Sequence, residues 1–454
     1  MRDHRFKSYD PDQLLLLPPD LRSWLPENHL AWFVSDMVDG LDLSRIEGHY
    51  DHLKGGKPGF HPSMMVKVLI YAYCVGVPSS RQIEKKTYED VAFRVLAAGY
   101  HPDHSAIAKF RKRHLRELSE LFVAVLLLAD EMGLVKLGHV ALDGTKLKAN
   151  ASKHKSMSYG RMDRRIWELK AEVDELLKKA ASTDKVEDKK YGKANRGDEL
   201  PRELQFREDR IAKIQSAKAA LEERKRQEVS QPRSVDEDDG PPTADAGGKS
   251  APTLVPHAKE QINFTDPESR IMKDNATKSF EQAYNAQLAV DCATQIIVSA
   301  DVTQQANDKH QLVPLMEQIE ANTGQVPDRA LADSGYFSAE NVQSCDNNYI
   351  EPFICRDRIK HSDTLLAAPK GRIPKALNCV ERMCRNLLTK EGRKTYSKRK
   401  ESVEAVIGQI KHVRGFRQFL LRGLEKVRAE WHLICLAHNV LKMWRSRRRL
   451  PALA

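Results

Sequence analysis

Apolar residues recur at helical spacing through most of the first 130 positions. DLRSWLPENHLAWFVSDMVDGL gathers them on one face, and PSMMVKVLIYAYCVGV (Pro62 to Val77) reads as a buried helix closed by Gly76 and Pro78. Ser79 and Gln82 make a capping-box pattern that opens SSRQIEKKTYEDVAFRVLAAGY. A turn at Gly99 to Asp103 follows, and Ser105 is placed to cap a last helix, AIAKFRKRHLREL. That helix carries Lys109, Arg111, Lys112, Arg113, His114 and Arg116, a density of cations suited to phosphate contacts. Helix, turn and basic helix together suggest a helix-turn-helix-like DNA reader; an ordinary solvated helix in an all-α domain fits this segment equally well.

The pattern then shortens to that of a strand. In GHVALDGTKLKANAS, the run His139 to Leu142 leads to Asp143 and then Gly144, which predicts a carboxylate at a strand's exposed end, where α/β folds hold ligands and metals. Lys146 and Lys148 follow as candidate DNA contacts. From Arg161 to Gln227 the period is helical again. Ile166, Leu169, Val173 and Leu176 take heptad-like spacing and Ile211, Ile214, Ala217 and Leu221 make a looser stripe, predicting a long antiparallel hairpin. SVDEDDGPPTADAGGKSAPT (Ser234 to Thr253) is too polar and too rich in Pro and Gly to build a core, and reads as a disordered linker.

Strands are predicted again over Tyr284 to Asp291 and Gln295 to Val302, and a helix over Asn307 to Asn322. Ala330, Leu331 and Ala332 then lead to Asp333, a second strand-end carboxylate. A helix from Ser338, a strand over Tyr349 to Cys355 and a basic irregular segment (Arg356 to Arg393) follow. They deliver the chain to TYSKRKESVEAVIGQIKHVRGF, where Val403, Val406, Ile407 and Ile410 recur at helical spacing. On an ideal helix Glu404 and Lys411 would point about 20° apart, along one stripe.

Composition narrows the chemistry. The chain of 454 residues carries a net charge of +11, which favours a polyanionic partner, nucleic acid first. It has no run long and apolar enough for a membrane span and no hydrophobic stretch at its start to act as a secretion signal. Its seven cysteines make no CxxC pair, so a disulfide framework and a zinc-ribbon module both fit poorly, and a cytoplasmic setting fits best. Three carboxylates on separate elements of a basic chain suggest divalent-metal chemistry on phosphates, since hard oxygen ligands suit Mg²⁺ or Mn²⁺.

ALDGTKLKANAS, LADSGYFSAENV and the ordered set Tyr396, Arg399, Glu404 and Lys411, continuing as RGFRQFLLRGLEKVRAEWHLICLAHNVLKMW, resemble the DDE transposases of bacterial insertion sequences. The resemblance runs from about residue 46 to the C-terminal end, interrupted by the hairpin and linker. It implies an α/β, RNase H-like catalytic domain with an inserted helical hairpin, preceded by an all-α N-terminal DNA-binding domain. The expected boundaries are 1–130 for the helical domain, 131–160 for the first part of the catalytic domain, 161–265 for the hairpin and linker, and 266–454 for the remainder with a basic C-terminal helix. Asp143, Asp333 and Glu404 would bind two Mg²⁺ or Mn²⁺ ions. Tyr396, Arg399 and Lys411 would contact DNA near the scissile phosphate, with Lys109, Arg111, Lys112 and Arg113 as further DNA contacts.

The implied activity is cleavage at terminal inverted repeats and strand transfer to target DNA by a homodimer or larger assembly, with no role for a membrane. Alternatives are an RNase H-like nuclease without strand transfer and a non-catalytic, transposase-derived DNA-binding protein. Relatives commonly read VEPVFGQIK where this chain has VEAVIGQIK, so Ala405 and Ile407 depart from the pattern. The spacing from Arg399 to Glu404 is also one residue longer than the tightest form of the signature. Glu401 is the rival third acid, and Glu404 is preferred because it alone stands in register with Lys411.

Overall fold

Helix caps set the N-terminal architecture. A 3₁₀ turn (Leu21–Trp24) leads to α1 (Leu30–Asp39), α2 (Ser44–Glu47), α3 (Pro62–Cys74), α4 (Ser80–Glu89), α5 (Val91–Leu96), α6 (His104–Arg113) and α7 (Leu115–Glu131). The computed structural model describes residues 20–50, 59–191, 202–230, 254–273, 278–356, 369, 371, 374 and 376–447. The expected linker over Ser234 to Thr253 lies outside them. The Asp90 and Asp103 side chains accept the first N–H groups of α5 and α6. Asp103 thus displaces Ser105 as the cap of α6; Ser105 is already helical, so its own N–H is one of the donors that needs a partner. Ser79 stands before α4 but makes no side-chain capping bond. The expected single basic helix is in fact two, broken at His114.

The main sheet contains β1 (Val140–Lys148), β4 (Arg270–Lys273), β5 (Phe280–Asp291), β6 (Ile297–Thr303), β7 (Arg329–Ala332) and β8 (Glu351–Ile354). β2 (Ser156–Ser158) and β3 (Gln261–Asn263) pair separately beside the hairpin. β4 and β6 pair with β5, and the order continues through β1 and β7 to β8. β5 runs antiparallel to β4, β6 and β1, whereas β7 runs parallel to β1 and β8. The β1–β5 ladder extends from Val140–Asp291 to Lys148–Ala283, but β7 pairs β1 only at Val140 and Ala141. One edge of β1 is therefore released just before Asp143.

The inserted segment forms α8 (Tyr159–Tyr191) and α9 (Arg202–Ser230). Tyr159 meets Glu222, Lys218 meets Asp163 and Arg207 meets Glu172, so the two helices run antiparallel. Met162, Leu169, Ile214, Ala217 and Leu221 fill a small core of their own with Ile262. After β6 come α10 (Leu312–Thr323) and, beyond β7, α11 (Ala339–Asn347). The segment expected to be irregular is helical from α12 (Cys379–Leu388), where Asn378 and Glu381 form a reciprocal capping box. Next, α13 (Lys390–Arg399) continues through a π-turn (Lys400–Glu404), α14 (Ala405–Gly408) and a second π-turn (Gln409–Val413).

The last helix, α15 (Leu424–Arg447), joins the N-terminal helices to the sheet in one hydrophobic core. Its buried Trp431 donates to the Gln287 carbonyl at 2.9 Å, and Asn439 exchanges bonds with both backbone groups of Ile297. Among the described residues no helix is long and apolar enough to cross a membrane.

The end of α3 docks on the chain that follows the second π-turn. Tyr73 stacks on Phe416 with ring centroids 5.6 Å apart, and Gly76 has φ +75° with the Arg414 carbonyl directly opposite. A Cβ at Gly76 would lie 2.6 Å from that backbone oxygen. Gly76→Ala is therefore expected to lower stability by ~1–3 kcal/mol, combining left-handed strain with an overpacked contact. Chemical denaturation of the two proteins checks this; an unchanged midpoint would contradict the docking.

Candidate active site

Asp143 and Asp333 reach the same end of the sheet by different routes. Asp333 directly follows parallel β7, as the apolar run before it predicts, and its Oδ1 accepts the Gly335 N–H at 2.9 Å in a 3₁₀ turn (Ser334–Tyr336). Asp143, by contrast, is inside β1 opposite Leu288, and Gly144 is a strand residue opposite Gln287. The expected strand end is real only on the β7 side: β5 carries the ladder onward. Gly144 is required there by packing, because a Cβ would collide with Asp308 Oδ1 and Gln287 Nε2.

Glu404 arrives through the first π-turn. On an α-helix, residues five apart point about 140° away from each other, but an i to i+5 turn brings them together. Arg399 Nη2 accordingly donates to Glu404 Oε1 at 3.0 Å. Its Nη1 stands 3.5 Å from Asp143 Oδ2. The one-residue-longer spacing between Arg399 and Glu404 is thus absorbed by the local widening of the helix. The same π-turns replace the ideal-helix phase assumed for Glu404 and Lys411. Lys411 Nζ instead donates to Thr145 Oγ1 at 3.0 Å and to the Lys146 carbonyl at 3.2 Å, tying the helix to β1. Glu401 and Glu404 are both exposed, and it is Glu404 that engages Arg399.

A fourth acid, Asp308, belongs to this group and escaped the sequence reading, which placed it in a helix starting at Asn307. It lies before α10, and its Oδ1 accepts from Asn285 Nδ2 at 2.7 Å and from Gln287 Nε2. Gln287 also accepts from the buried Tyr336 hydroxyl. The detectable signal was the alternation of Asn285 and Gln287 among the apolar residues of Tyr284 to Val290, since two buried amides on one face require polar partners.

Two of the acids, Asp143 and Asp308, hold their protons more tightly than a free carboxyl would. Burial pushes the Asp143 carboxyl up to about 7; Arg399 opposes the shift, while Asp333, Asp308 and Glu404 add to it. Burial also raises Asp308, against the pull of Asn285 and Gln287. For Arg399, burial disfavours the charge, but Asp143, Tyr396, Asp333 and Glu404 together raise its pKa. Tyr396 is half-buried beside it, its phenol pushed up to about 12 mainly by burial. Among the described residues, no three of these acids bring ligand oxygens within 4.8 Å of one another; Arg399 occupies the space between Asp143 and Glu404. An all-oxygen donor set around a held cation is chemically suited to a hard divalent ion.

Of the basic residues on α6, Lys109, Lys112 and Arg113 are exposed. Arg111 is not: it is buried, donating to Tyr73 Oη at 3.1 Å and to the Pro78 carbonyl at 2.9 Å. Its guanidinium closes the end of α3 and is withdrawn from the phosphate contacts expected of it.

A transposase domain model matches residues 19–113, and a transposase DDE domain model matches residues 366–444. These two matches support a DDE transposase of insertion sequences. The DDE-domain match contains Tyr396, Arg399, Glu404 and Lys411, while Asp143, Asp308 and Asp333 lie outside both matched segments. No curated protein and no solved structure matches the chain. DNA is the partner that these transposase domains imply.

Proposed function

We propose that this transposase binds the terminal inverted repeats of its element, hydrolyses a phosphodiester to free a 3′-hydroxyl, and directs that hydroxyl onto target DNA. The observation that carries the reading is the meeting of Arg399, Asp333, Asp308 and Glu404 around Asp143 at one end of the sheet. The strand order supports an RNase H-like catalytic fold, with antiparallel β6, β5 and β1 continued by parallel β7 and β8. Asp143, Asp333 and Glu404 would hold two Mg²⁺ or Mn²⁺ ions, with Asp308 as a further oxygen donor. When bound, such ions activate the attacking oxygen and stabilise the leaving one in an in-line displacement. Arg399, released from the acids, and Tyr396 would face the phosphate backbone; Lys411 holds β1 and the π-helical segment in register. Lys109, Lys112 and Arg113 would add sequence-independent affinity through phosphates. A cytoplasmic setting and an assembly of at least two copies, to bring two ends together, complete the reading.

An assay with two substrates tests it. The full chain is incubated with Mg²⁺ and either an intact or a pre-nicked duplex carrying the element's ends, together with target DNA. Cleavage of the first and joining of the second are expected. Cleavage without joining would favour a nuclease, and metal-independent binding with neither reaction would favour a non-catalytic DNA-binding protein.

A further inference from the structure

We propose that His49, His114 and Glu117 form a second metal site, of the zinc class, which pins the chain after α2 to the junction of α6 and α7. One ring nitrogen from each histidine and one Glu117 carboxylate oxygen all lie within 4.8 Å of one another. Two imidazoles and a carboxylate suit Zn²⁺, whereas Mg²⁺ is held by oxygens. The site is therefore chemically distinct from the acid cluster.

The hydrogen bonds around the three side chains leave room for an ion. His49 Nδ1 is 2.8 Å from the Arg45 carbonyl, which can only accept, so the proton sits on Nδ1 and the lone pair is on Nε2. A backbone carbonyl orienting one imidazole nitrogen while the other is free to ligate is the usual support of a metal-binding histidine. His49 Nε2 is 3.7 Å from Glu117 Oε1, too far for a hydrogen bond. His114 is fully buried; its Nε2 is 3.2 Å from Tyr50 Oη, and its Nδ1 has no hydrogen-bond partner. A buried histidine with a ring nitrogen left unmet, grouped with two other donors, is what a bound cation would satisfy.

The three ligands come from two places, His49 after α2 and His114 with Glu117 at the start of α7, and Arg113 is attached to His49 and its neighbour Tyr50. It donates to the His49 carbonyl at 3.1 Å and lies over the Tyr50 ring at 5.3 Å. An ion here fixes the C-terminal end of basic α6. This role is independent of the catalytic reading, because it needs neither the acid cluster nor DNA.

The test uses purified full-length chain, stripped of metal with a chelator, reloaded with Zn²⁺ in excess Mg²⁺ and desalted. Wild type and Asp143→Asn are expected to retain a single equivalent of zinc and to gain thermal stability from it. His49→Ala and Glu117→Gln are expected to retain none, and to melt at the same temperature with or without Zn²⁺. His49 is half-exposed, so its replacement should fold as the metal-free wild type does, and Glu117→Gln supplies the comparison if it does not. Zinc retention undiminished in these two variants, or absent from wild type, would overturn the site.

Discussion

Asp143→Asn, Asp333→Asn and Glu404→Gln are each expected to reduce Mg²⁺-dependent strand cleavage by ~10³-fold or more, corresponding to several kcal/mol of lost transition-state stabilisation. Binding to end-containing DNA should survive, because the amides keep the shape of the acids and remove negative charge from a site that must receive phosphate. Two comparisons separate chemistry from folding. Thermal melting should be retained in all three variants, and Glu401→Gln, altering an exposed acid near the same turn, should cleave as wild type does. Asp308→Asn tests the acid that only the fold reveals. Its Oδ1 already accepts from Asn285 and Gln287, so the amide must turn an N–H away from those donors, and a loss of cleavage is expected here too. Full activity in any of the four would remove that residue from the site.

The two aspartates that the sequence presents in the same way illustrate what patterning can and cannot convey. Three apolar residues before an acid and a small residue describe both sites. Asp333 does end its strand, because β7 and its parallel neighbour β8 both stop there. Asp143 does not, because antiparallel β5 continues beside it for five more residue pairs, and nothing local to GHVALDGTK says which neighbour will be the longer. The hairpin was legible because its register depends on side chains three and four apart. Arg111 was misread for the opposite reason: its partners lie 38 and 33 positions away, and charge density alone describes a surface. The π-turns were also hidden. Val403, Val406 and Ile410 are buried at ordinary helical spacing, and only the encounter of Arg399 with both Asp143 and Glu404 explains the wider turn between them. Ala405 and Ile407, where the chain departs from its relatives, are both partly buried, and Ile407 packs against the main core. The departure therefore falls on packing and leaves the acid's backbone position intact.

In buffer free of divalent ions, Asp143 is expected to make wild type less stable as pH rises, and Asp143→Asn should remove that dependence. The folded carboxyl titrates at about 7, above its ordinary value of 3.8, chiefly through burial. Below pH ~4 the side chain is protonated in both states and carries no penalty. Between there and pH ~7 the folded protein holds a proton that the unfolded chain releases, so stability falls with rising pH; above ~7 the loss is complete, at ~2–4 kcal/mol. Every other titrating group is common to the two proteins, so the difference between their urea unfolding curves reports Asp143 together with its coupling to Arg399 and the neighbouring acids. The variant's advantage should grow from pH 4 to 7 and then level off. Curves that stay parallel across that range would show that Arg399 fully compensates the carboxylate. Mg²⁺ should reverse the order at pH 8, stabilising wild type by mass action and leaving the variant behind. The same buried negative charge that weakens the empty fold is then the source of its affinity for the ion, and Arg399, lying against both Asp143 and Glu404, is the cation that the fold uses in the meantime.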